Sequence, residues 1–368
     1  MEKGNQVLLK QAKLMSSNPS ERTICARLMN DRFALCLPRE EFDEKRVADS
    51  IKELQREFTG NSFHLHMYMG VYEIRDRDEA VSIMVDKANI AADTIKNNYD
   101  CCVSYYDEHL LEISIEQRRL LGEFEPALQK DEFVMYLQPQ VNRDGVARGA
   151  EALVRWAHPS RGILTPYAFI DILENAGLIY KLDLYIWEKA AQKLAEWKEK
   201  GYGSYHISVN ISTKDFYIID IYDTFTGLIN KYGIAASNLH LEITEKTLMT
   251  DFEKNMNIIH KLQNVGFRVE IDDFGSGYSS LNMLKDISAD VLKIDMGFLR
   301  KSENEVKGQD ILESIITLAG KIGMDVITEG VETKKQLDML TMMGCHEFQG
   351  YYFSKPVPVS EFEEKYLV

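Results

Sequence analysis

Eight short apolar runs that alternate with segments of helical spacing are the feature that most constrains the fold of this chain. The runs read FVMYL, EALVRW, HISVNI, LHLEIT, RVEID, VLKID, DVITEG and HEFQGY, and most are followed by a helix-like segment, over about 235 residues. Repeated alternation of strand and helix is typical of a closed barrel rather than an open sheet. The sequence therefore predicts an α/β fold with a TIM-like (β/α)8 barrel.

The residues before the barrel follow a different pattern, which over 23–106 reads as strand, turn, strand, helix, strand, helix, strand. Two strand-like segments, 24–28 and 33–37, flank Asn30 and Asp31, and this arrangement predicts a β-hairpin. Helical spacing over 41–58 and 82–97, with alternation over 63–72, completes an α+β pattern. A partial α+β domain is expected in front of the barrel.

The change of pattern predicts three segments: a front domain at 1–106, a helical linker at 107–122 and the barrel domain at 123–368. The linker belongs to a charged amphipathic stretch, DEHLLEISIEQRRLLGEFEPALQK, which extends over 107–130. The alternative interpretation of this stretch is a surface helix of a single domain.

Composition restricts the classes of partner and the compartment. The net charge of −15 argues against binding of long nucleic acid, although a small phosphate-bearing ligand remains possible. The five cysteines have no paired spacing, no apolar run reaches about 18 residues, and the start MEKGNQ is polar. We expect a cytoplasmic protein; an upstream sensor could tether a longer form to a membrane.

Acidic and amide side chains, together with one lysine, recur at the C-terminal ends of the eight runs. They are Gln138, Glu151, Asn210, Glu242, Asp272, Asp273, Lys293, Asp295, Glu329, Glu332 and Gln349. Strand ends of a parallel barrel converge on one face, and packed carboxylates are stable there only if protons or cations neutralise them. All-oxygen ligands favour Mg²⁺, Mn²⁺ or Ca²⁺, and a pair of such ions is a recurring device for cleaving phosphodiesters.

Each of these positions also has a simpler interpretation. A single acid after a strand is commonly a helix cap or a solvated loop residue, and the Lys293 side chain could extend to solvent from the barrel. The repetition at nearly every run favours a shared site.

The same residues carry a close resemblance to a family. The strings EALVRWAHPSRG, SVNIS, LEITE, IDDFGSGYSSL, LKID, TEGVE and FQGYYFSKP resemble, in order and approximate spacing, the motifs of EAL domains. The resemblance implies a cyclic di-GMP phosphodiesterase that forms linear pGpG with water activated by two divalent cations. Mg²⁺ or Mn²⁺ is implied as the cofactor, with Ca²⁺ as an inhibitor or substitute, and no organic cofactor is implied.

The resemblance also assigns roles to individual residues. It implies that Glu151, Asn210, Glu242 and Asp272 bind one metal ion, that Asp272, Asp273 and Glu329 serve the second, and that Lys293 holds the attacking water. Arg155 is implied to contact a substrate phosphate, and the implied substrate-binding or supporting positions are Gln138, Leu153, Asp295, Glu332, Gln349 and Pro356.

A Gly/Ser-rich segment at 273–281 is predicted to be a mobile loop. The resemblance to EAL domains implies that this loop positions the paired aspartates and couples to a homodimer of EAL domains, with Glu245 steadying it. An ordinary glycine-containing turn is the alternative.

The front domain resembles the GGDEF domain of diguanylate cyclases through its hairpin CARLMNDRFALCL. Met29 and Asn30 stand where that family has glycines, and Arg32 replaces an acid, so the resemblance implies a degenerate domain without cyclase activity. GNQVLLKQAKL resembles the second helix of that fold, which implies that the first strand and helix are missing. A regulatory or dimer-forming role and a passive remnant both remain open.

Two other functions fit parts of the sequence. A non-catalytic receptor could bind cyclic di-GMP through the same cleft, although receptors of this kind typically lose metal ligands and none is lost here. A structural interaction module would leave the many acids of the barrel mouth unexplained.

Overall fold

The computed structural model describes residues 2–16, 20–58, 65–96, 101–274, 287–297 and 305–367. The chain forms two compact units, Met1–Leu120 and Leu121–Val368. Among the helices of these described ranges, none has both the length and the apolar character that a membrane span requires.

The first unit combines helices with two short two-stranded sheets. Its elements in the described residues are α1 Glu2–Ser16, β1 Ile24–Arg27, β2 Phe33–Cys36, α2 Glu44–Phe58, β3 Met69–Val71, α3 Val81–Thr94 and β4 Val103–Tyr105. Strands β1 and β2 form the predicted antiparallel hairpin, with Asn30 at a φ of 57° in its turn. Strands β3 and β4 pair in parallel.

A small apolar core stabilises this unit. Ile51 of α2 packs with Cys102 and Val103, and Phe42 and Val47 lie against them. Helix α3 packs closely on β3 because Gly70 has no side chain, since a Cβ there would lie 1.8 Å from the Ala88 carbonyl oxygen. The predicted α+β pattern is therefore present. A long helix, α4 Glu108–Gln129, contains most of the segment predicted as a linker.

The described residues of the second unit form ten strands and the helices between them. The strands are β5 Phe133–Val141, β6 Ala147–His158, β7 Gly162–Leu164, β8 His206–Ile211, β9 Leu239–Thr244, β10 Val269–Phe274, β11 Val291–Asp295, β12 Asp325–Glu329, β13 Glu347–Phe348 and β14 Val357–Pro358. The helices in its described residues are α5 Ile170–Ala176, α6 Ile179–Glu199, α7 Asp215–Ile218, α8 Ile221–Tyr232, α9 Glu245–Thr250, α10 Phe252–Val265, α11 Glu305–Lys321, α12 Lys334–Met342 and α13 Val359–Tyr366.

Eight of these strands close into a barrel, which confirms the predicted α/β fold. Strands β6, β8, β9, β10, β11, β12 and β13 are parallel neighbours in that order, and β5 closes the ring between β13 and β6. Strand β5 runs antiparallel to both neighbours, unlike the first strand of a regular (β/α)8 barrel. The short turn at Asn142–Gly145 explains this direction, because two strands joined by a tight turn must be antiparallel.

The barrel strands alternate between apolar and polar residues with a period of two. In β8, Ile207, Val209 and Ile211 are buried under the helices, whereas the alternating positions His206, Ser208 and Asn210 are polar. The same alternation in β9 and β10 fills the barrel interior with polar side chains. Most barrels of this class fill that space with branched apolar residues.

Aromatic residues fix the outer helices to the strands that carry polar side chains. Trp187 of α6 is fully buried, its ring centroid lies 4.5 Å from that of Phe225 of α8, and its Nε1 donates to the Asn210 carbonyl oxygen at 2.9 Å. Trp197 of α6 stacks on Phe362 of α13. The ring of helices therefore holds the end of β8 in a fixed position.

Candidate active site

A buried lysine surrounded by carboxylates lies at the C-terminal end of the barrel strands. Lys293 of β11 is fully buried, and its Nζ lies 2.7 Å from Glu242 Oε2 and 2.7 Å from Glu329 Oε1. Glu151 Oε2 and Asp272 Oδ1 each lie 3.4 Å from the same ammonium. Strands β6, β9, β10, β11 and β12 thus bring five of the predicted site residues together.

The charges in this cluster shift several pKa values. Burial, followed by the charge of Glu151, raises the pKa of Glu242 well above its usual range. Burial also raises the pKa of Glu329, to about 8, against the opposing effect of Lys293. Burial alone would lower the pKa of Lys293, but the surrounding carboxylates raise it. The ammonium therefore stays charged, and the carboxylates favour a proton or a further cation.

The donor atoms of this cluster fit a hard cation. Within the described residues, Glu242 Oε1 is buried and accepts no hydrogen bond, and the buried oxygens Asp272 Oδ1 and Glu329 Oε1 face the Lys293 ammonium without good hydrogen-bond geometry. The Asn210 amide donates to Glu151 Oε1 at 3.1 Å, which places a further oxygen-bearing side chain beside the carboxylates. Buried oxygens that lack a donor are commonly explained by a water or an ion, and carboxylate and amide oxygens are the ligands of Mg²⁺ and Mn²⁺.

The paired aspartates lie at an irregularity of strand β10. The register between β10 and β11 shifts between Ile271 and Phe274, and Asp273 adopts a φ of 57°. This left-handed backbone breaks the alternation that would send neighbouring side chains to opposite faces. Partial burial, and then the charges of Asp272 and Asp295, raise the pKa of Asp273, so its carboxyl belongs to the same electrostatic cluster.

Two glutamines hold the Glu151 carboxylate. Gln349 Nε2 donates to Glu151 Oε2 at 2.5 Å and to Gln138 Oε1 at 3.2 Å, and Gln138 Nε2 donates to the Ser354 carbonyl at 3.2 Å. The expectation that Gln138 ends its strand is wrong, because β5 is antiparallel and continues to Val141. Gln138 reaches the site because it pairs with Glu151 across the ladder.

The extension of β6 beyond Glu151 carries Leu153 and Arg155. The guanidinium carbon of Arg155 lies 5.4 Å from the centroid of the Tyr136 ring, and Nη1 donates to the Val154 carbonyl at 2.8 Å. Burial lowers the pKa of Arg155, although nearby Tyr136, Tyr351 and Glu151 oppose this effect. Leu153 pairs with Tyr136 in the ladder and is partly buried.

The remaining predicted residues lie around this cluster or beyond it. Asp295 ends β11 and accepts a hydrogen bond from the Gly297 backbone at 2.6 Å. Glu332 is exposed, Pro356 is partly buried before β14, and Glu245 begins α9. Beyond Phe274, the predicted loop at 273–281 lies outside the described residues. The roles assigned to these residues stay predictions.

Sequence reasoning missed a second polar layer inside the barrel, formed by Gln140, His206, Ser208, His240 and Glu270. The candidate ligand atoms of His206, His240 and Glu270 all lie within 4.8 Å of one another. In the described part of the chain, no other group of three His, Cys, Asp or Glu side chains meets this distance. The period-two alternation could have found four of them, because His206, Ser208, His240 and Glu270 precede Asn210, Glu242 and Asp272 on the same strand faces.

Two family models match this chain, one in each of the two compact units. The family model "EAL domain" matches residues 122–356, and the model "Diguanylate cyclase, GGDEF domain" matches residues 1–100. The bifunctional diguanylate cyclase/cyclic di-GMP phosphodiesterase MucR of Pseudomonas aeruginosa is 30% identical over 370 residues, which cover 97% of this chain and 53% of MucR. The chain therefore spans about half the length of this relative.

Solved structures agree with the barrel assignment. The structure described as the PaMucR phosphodiesterase in complex with c-di-GMP is 33% identical, has a TM-score of 0.63, and the match covers 66% of this chain and 99% of that one. The EAL enzyme Bd1971, in its form bound to cAMP and cyclic di-GMP, is 31% identical with a TM-score of 0.63, covering 68% of this chain and 69% of that one. The family model covers well over half of the chain, and the predicted resemblance is confirmed: this protein belongs to the EAL domain family, with a GGDEF-like region at its N-terminal side.

Proposed function

We propose that the barrel hydrolyses cyclic di-GMP to linear pGpG in a reaction that depends on divalent cations. The observation that carries this proposal is the buried Lys293 ammonium with four carboxylates within 3.4 Å. Desolvation of so many buried charges offsets much of their mutual attraction, and a cluster of this kind, with strongly perturbed pKa values, is typical of active sites. The solved EAL structures in complex with cyclic di-GMP support the choice of substrate.

The residues that would hold the two cations, Mg²⁺ or Mn²⁺, belong to the barrel mouth. Glu151, Asn210, Glu242 and Asp272 are proposed for one ion, and Asp272, Asp273 and Glu329 for the other. When bound, a pair of divalent ions makes water more acidic and stabilises the charge that develops on a phosphodiester. Glu242 Oε1, which accepts no hydrogen bond in the described structure, and the Asp272 and Glu329 oxygens beside the Lys293 ammonium are the atoms available for this purpose.

The protein's own groups would position the reactants. We assign the Lys293 ammonium to a hydrogen bond with the attacking water, because its raised pKa keeps it charged and a donor at neutral pH. Arg155 would bind a substrate phosphate, since a guanidinium offers parallel donors to phosphate oxygens. Gln349 and Gln138 would keep the Glu151 carboxylate oriented through the hydrogen bonds described above.

The test is incubation of the protein with cyclic di-GMP and Mg²⁺ or Mn²⁺, followed by chromatographic detection of pGpG. We expect pGpG to form when the cation is present and no pGpG to form when a chelator removes it. Retention of intact cyclic di-GMP would indicate a receptor, and neither product nor retention would indicate a scaffold. The substitution Asp272→Asn, compared with Lys189→Met on the outer surface, separates loss of the site from a general effect on folding.

We also propose that the protein forms a homodimer through the EAL domain and that the front domain, residues 1–106, has no cyclase activity. Arg32 stands at a signature position, and its guanidinium lies 3.9 Å from Asp93. Sedimentation of the full chain would test the dimer, and incubation with GTP would test the second proposal, which the appearance of cyclic di-GMP would contradict.

A further inference from the structure

A second polar cluster lies inside the barrel, one layer nearer to the N-terminal ends of the strands than Lys293. We call Gln140, His206, Ser208, His240 and Glu270 the lower polar cluster. His206 is the first residue of β8, and His240 and Glu270 are the second residues of β9 and β10. Because a barrel interior is normally packed with branched apolar side chains, a buried polar layer requires a specific explanation.

The side chains of this cluster converge on the Ser208 hydroxyl. Ser208 Oγ lies 3.4 Å from Gln140 Oε1 and 3.2 Å from Glu270 Oε1, and its single proton can be donated to either acceptor. Gln140 Oε1 also lies 2.8 Å from His206 Nε2, and Glu270 Oε1 lies 2.6 Å from His240 Nδ1. Two imidazoles, one carboxylate and one amide oxygen are therefore gathered in one small region of the interior.

The hydrogen bonds of the lower polar cluster are incomplete. Both ring nitrogens of His240 face acceptors, Glu270 Oε1 at 2.6 Å and the Ser237 carbonyl at 3.2 Å, yet a neutral imidazole carries only one N–H. Glu270 Oε2 and Gln140 Nε2 are buried and have no hydrogen-bond partner among the described residues. Glu270 is itself fully buried. A second ring proton, or a cation in place of the proton at Nδ1, would satisfy both contacts of His240.

The geometry points to a metal ion. The candidate ligand atoms of His206, His240 and Glu270 all lie within 4.8 Å of one another. Two imidazoles and one carboxylate are a ligand set that zinc uses, with a fourth position left for water or, here, the Gln140 amide oxygen. We propose that the lower polar cluster binds one Zn²⁺ ion, distinct from the hard cations proposed for the all-oxygen site above it.

Binding of Zn²⁺ requires the His206 ring to change its orientation, and this change can be measured. The rings of His206 and His240 are stacked, with centroids 3.9 Å apart and planes 5° from parallel, so their in-plane lone pairs run side by side. For both nitrogens to point at one ion, the His206 ring must turn out of this stack. His206 is partly exposed while His240 and Glu270 are buried, so the ion would enter past His206.

The neighbouring strand leaves space for the His206 ring. A Cβ on Gly149 would lie 2.3 Å from His206 Nε2, so a larger residue at this position would displace the imidazole. Glycine at this position therefore keeps His206 beside the other candidate ligands.

The test measures zinc bound to the chain of 368 residues. Protein equilibrated with Zn²⁺ in excess Mg²⁺ is dialysed, and its zinc content, melting temperature and histidine ring NMR signals are recorded. We expect one zinc ion per chain, a raised melting temperature and shifted ring signals of His206 and His240. His206→Gln and Glu270→Gln should each weaken zinc binding by at least about 10-fold. His260→Gln, at an exposed position of α10, should not.

The active-site variant Asp272→Asn separates the two sites. It should retain the zinc ion, because the lower polar cluster does not contain Asp272. A zinc-free wild-type protein, or zinc that is lost only from Asp272→Asn, would overturn the proposal. Zinc that binds without changing the ring signals of His206 and His240 would overturn it as well. Because the wild-type measurement needs no substitution, the proposal can fail even if a variant does not fold.

Discussion

Replacement of Lys293 by methionine should make the fold dependent on divalent cations. At an effective dielectric constant of about 20, the Coulomb attraction between Lys293 and a carboxylate is about 6 kcal/mol at 2.7 Å and about 5 kcal/mol at 3.4 Å. The cost of desolvation and the repulsion among the carboxylates must be subtracted from these values. Removal of one partner from a buried ion pair costs a net of about 3–5 kcal/mol. Methionine keeps much of the side-chain volume, so the change isolates the charge.

We therefore expect Lys293→Met to lower the free energy of unfolding by about 3–5 kcal/mol in a chelating buffer, and Mn²⁺ to restore much of that loss because the ion replaces the missing positive charge. The assay is urea unfolding followed by circular dichroism, with and without Mn²⁺. The matched control is Lys189→Met, whose ammonium lies 2.9 Å from Asp131 on the surface, where a salt bridge contributes at most about 1 kcal/mol.

The pH dependence sharpens the same prediction. Without the ammonium, the carboxylates around it gain stability by binding protons, so the loss in Lys293→Met should be smaller at pH 6 than at pH 8. A variant as stable as Lys189→Met in chelating buffer at both pH values would refute the reasoning, because the carboxylates would then not depend on the lysine. Turnover of cyclic di-GMP should also fall far more than its retention.

Three further predictions address other groups. Asp272→Asn should lower pGpG formation by at least about 100-fold while the melting curve stays cooperative, and retained activity would contradict the metal assignment. Binding of Mn²⁺ near pH 7 should release protons, because Glu329, whose pKa is raised to about 8, must ionise to bind the ion. Calorimetry in buffers of different ionisation enthalpy measures the proton release, and binding heats that do not depend on the buffer would contradict the prediction. Burial, followed by the charge of Asp215, raises the pKa of Asp183, and burial raises the pKa of Asp215 to about 6. The stability that these two protonated carboxyl groups contribute is therefore present below about pH 4 and is lost as the pH rises through about 6. The substitution Asp215→Asn should flatten the fall of melting temperature over that range, and an unchanged slope would show that this pair does not titrate there.

The sequence predicted the barrel because short strand-like segments with buried apolar residues alternate along the chain with segments of helical spacing. It did not predict the direction of β5, although the turn at Asn142–Gly145, which contains an Asp-Gly pair, carried the signal for a hairpin. The left-handed φ of Asp273 could not be read from the sequence, since an aspartate adopts it only when the surrounding structure imposes it.

The sequence predicted some residues of the barrel interior and missed others. Glu242, Asp272 and Glu329 were found because they lie near the ends of apolar runs, and barrel closure then brings them to Lys293. Their mutual distances depend on strand tilt and register, which the sequence does not encode locally. The lower polar cluster was missed because attention to strand ends overlooks polar residues at strand beginnings.

The central claim is that the barrel gathers Glu151, Glu242 and Asp272 into one cation-binding centre beside Lys293. Anomalous diffraction from crystals grown with Mn²⁺ and cyclic di-GMP tests it directly. The account predicts manganese peaks within bonding distance of these three carboxylates, with the ligand's phosphate beside them. Manganese bound only elsewhere, with Lys293 still paired to the same carboxylates, would contradict it.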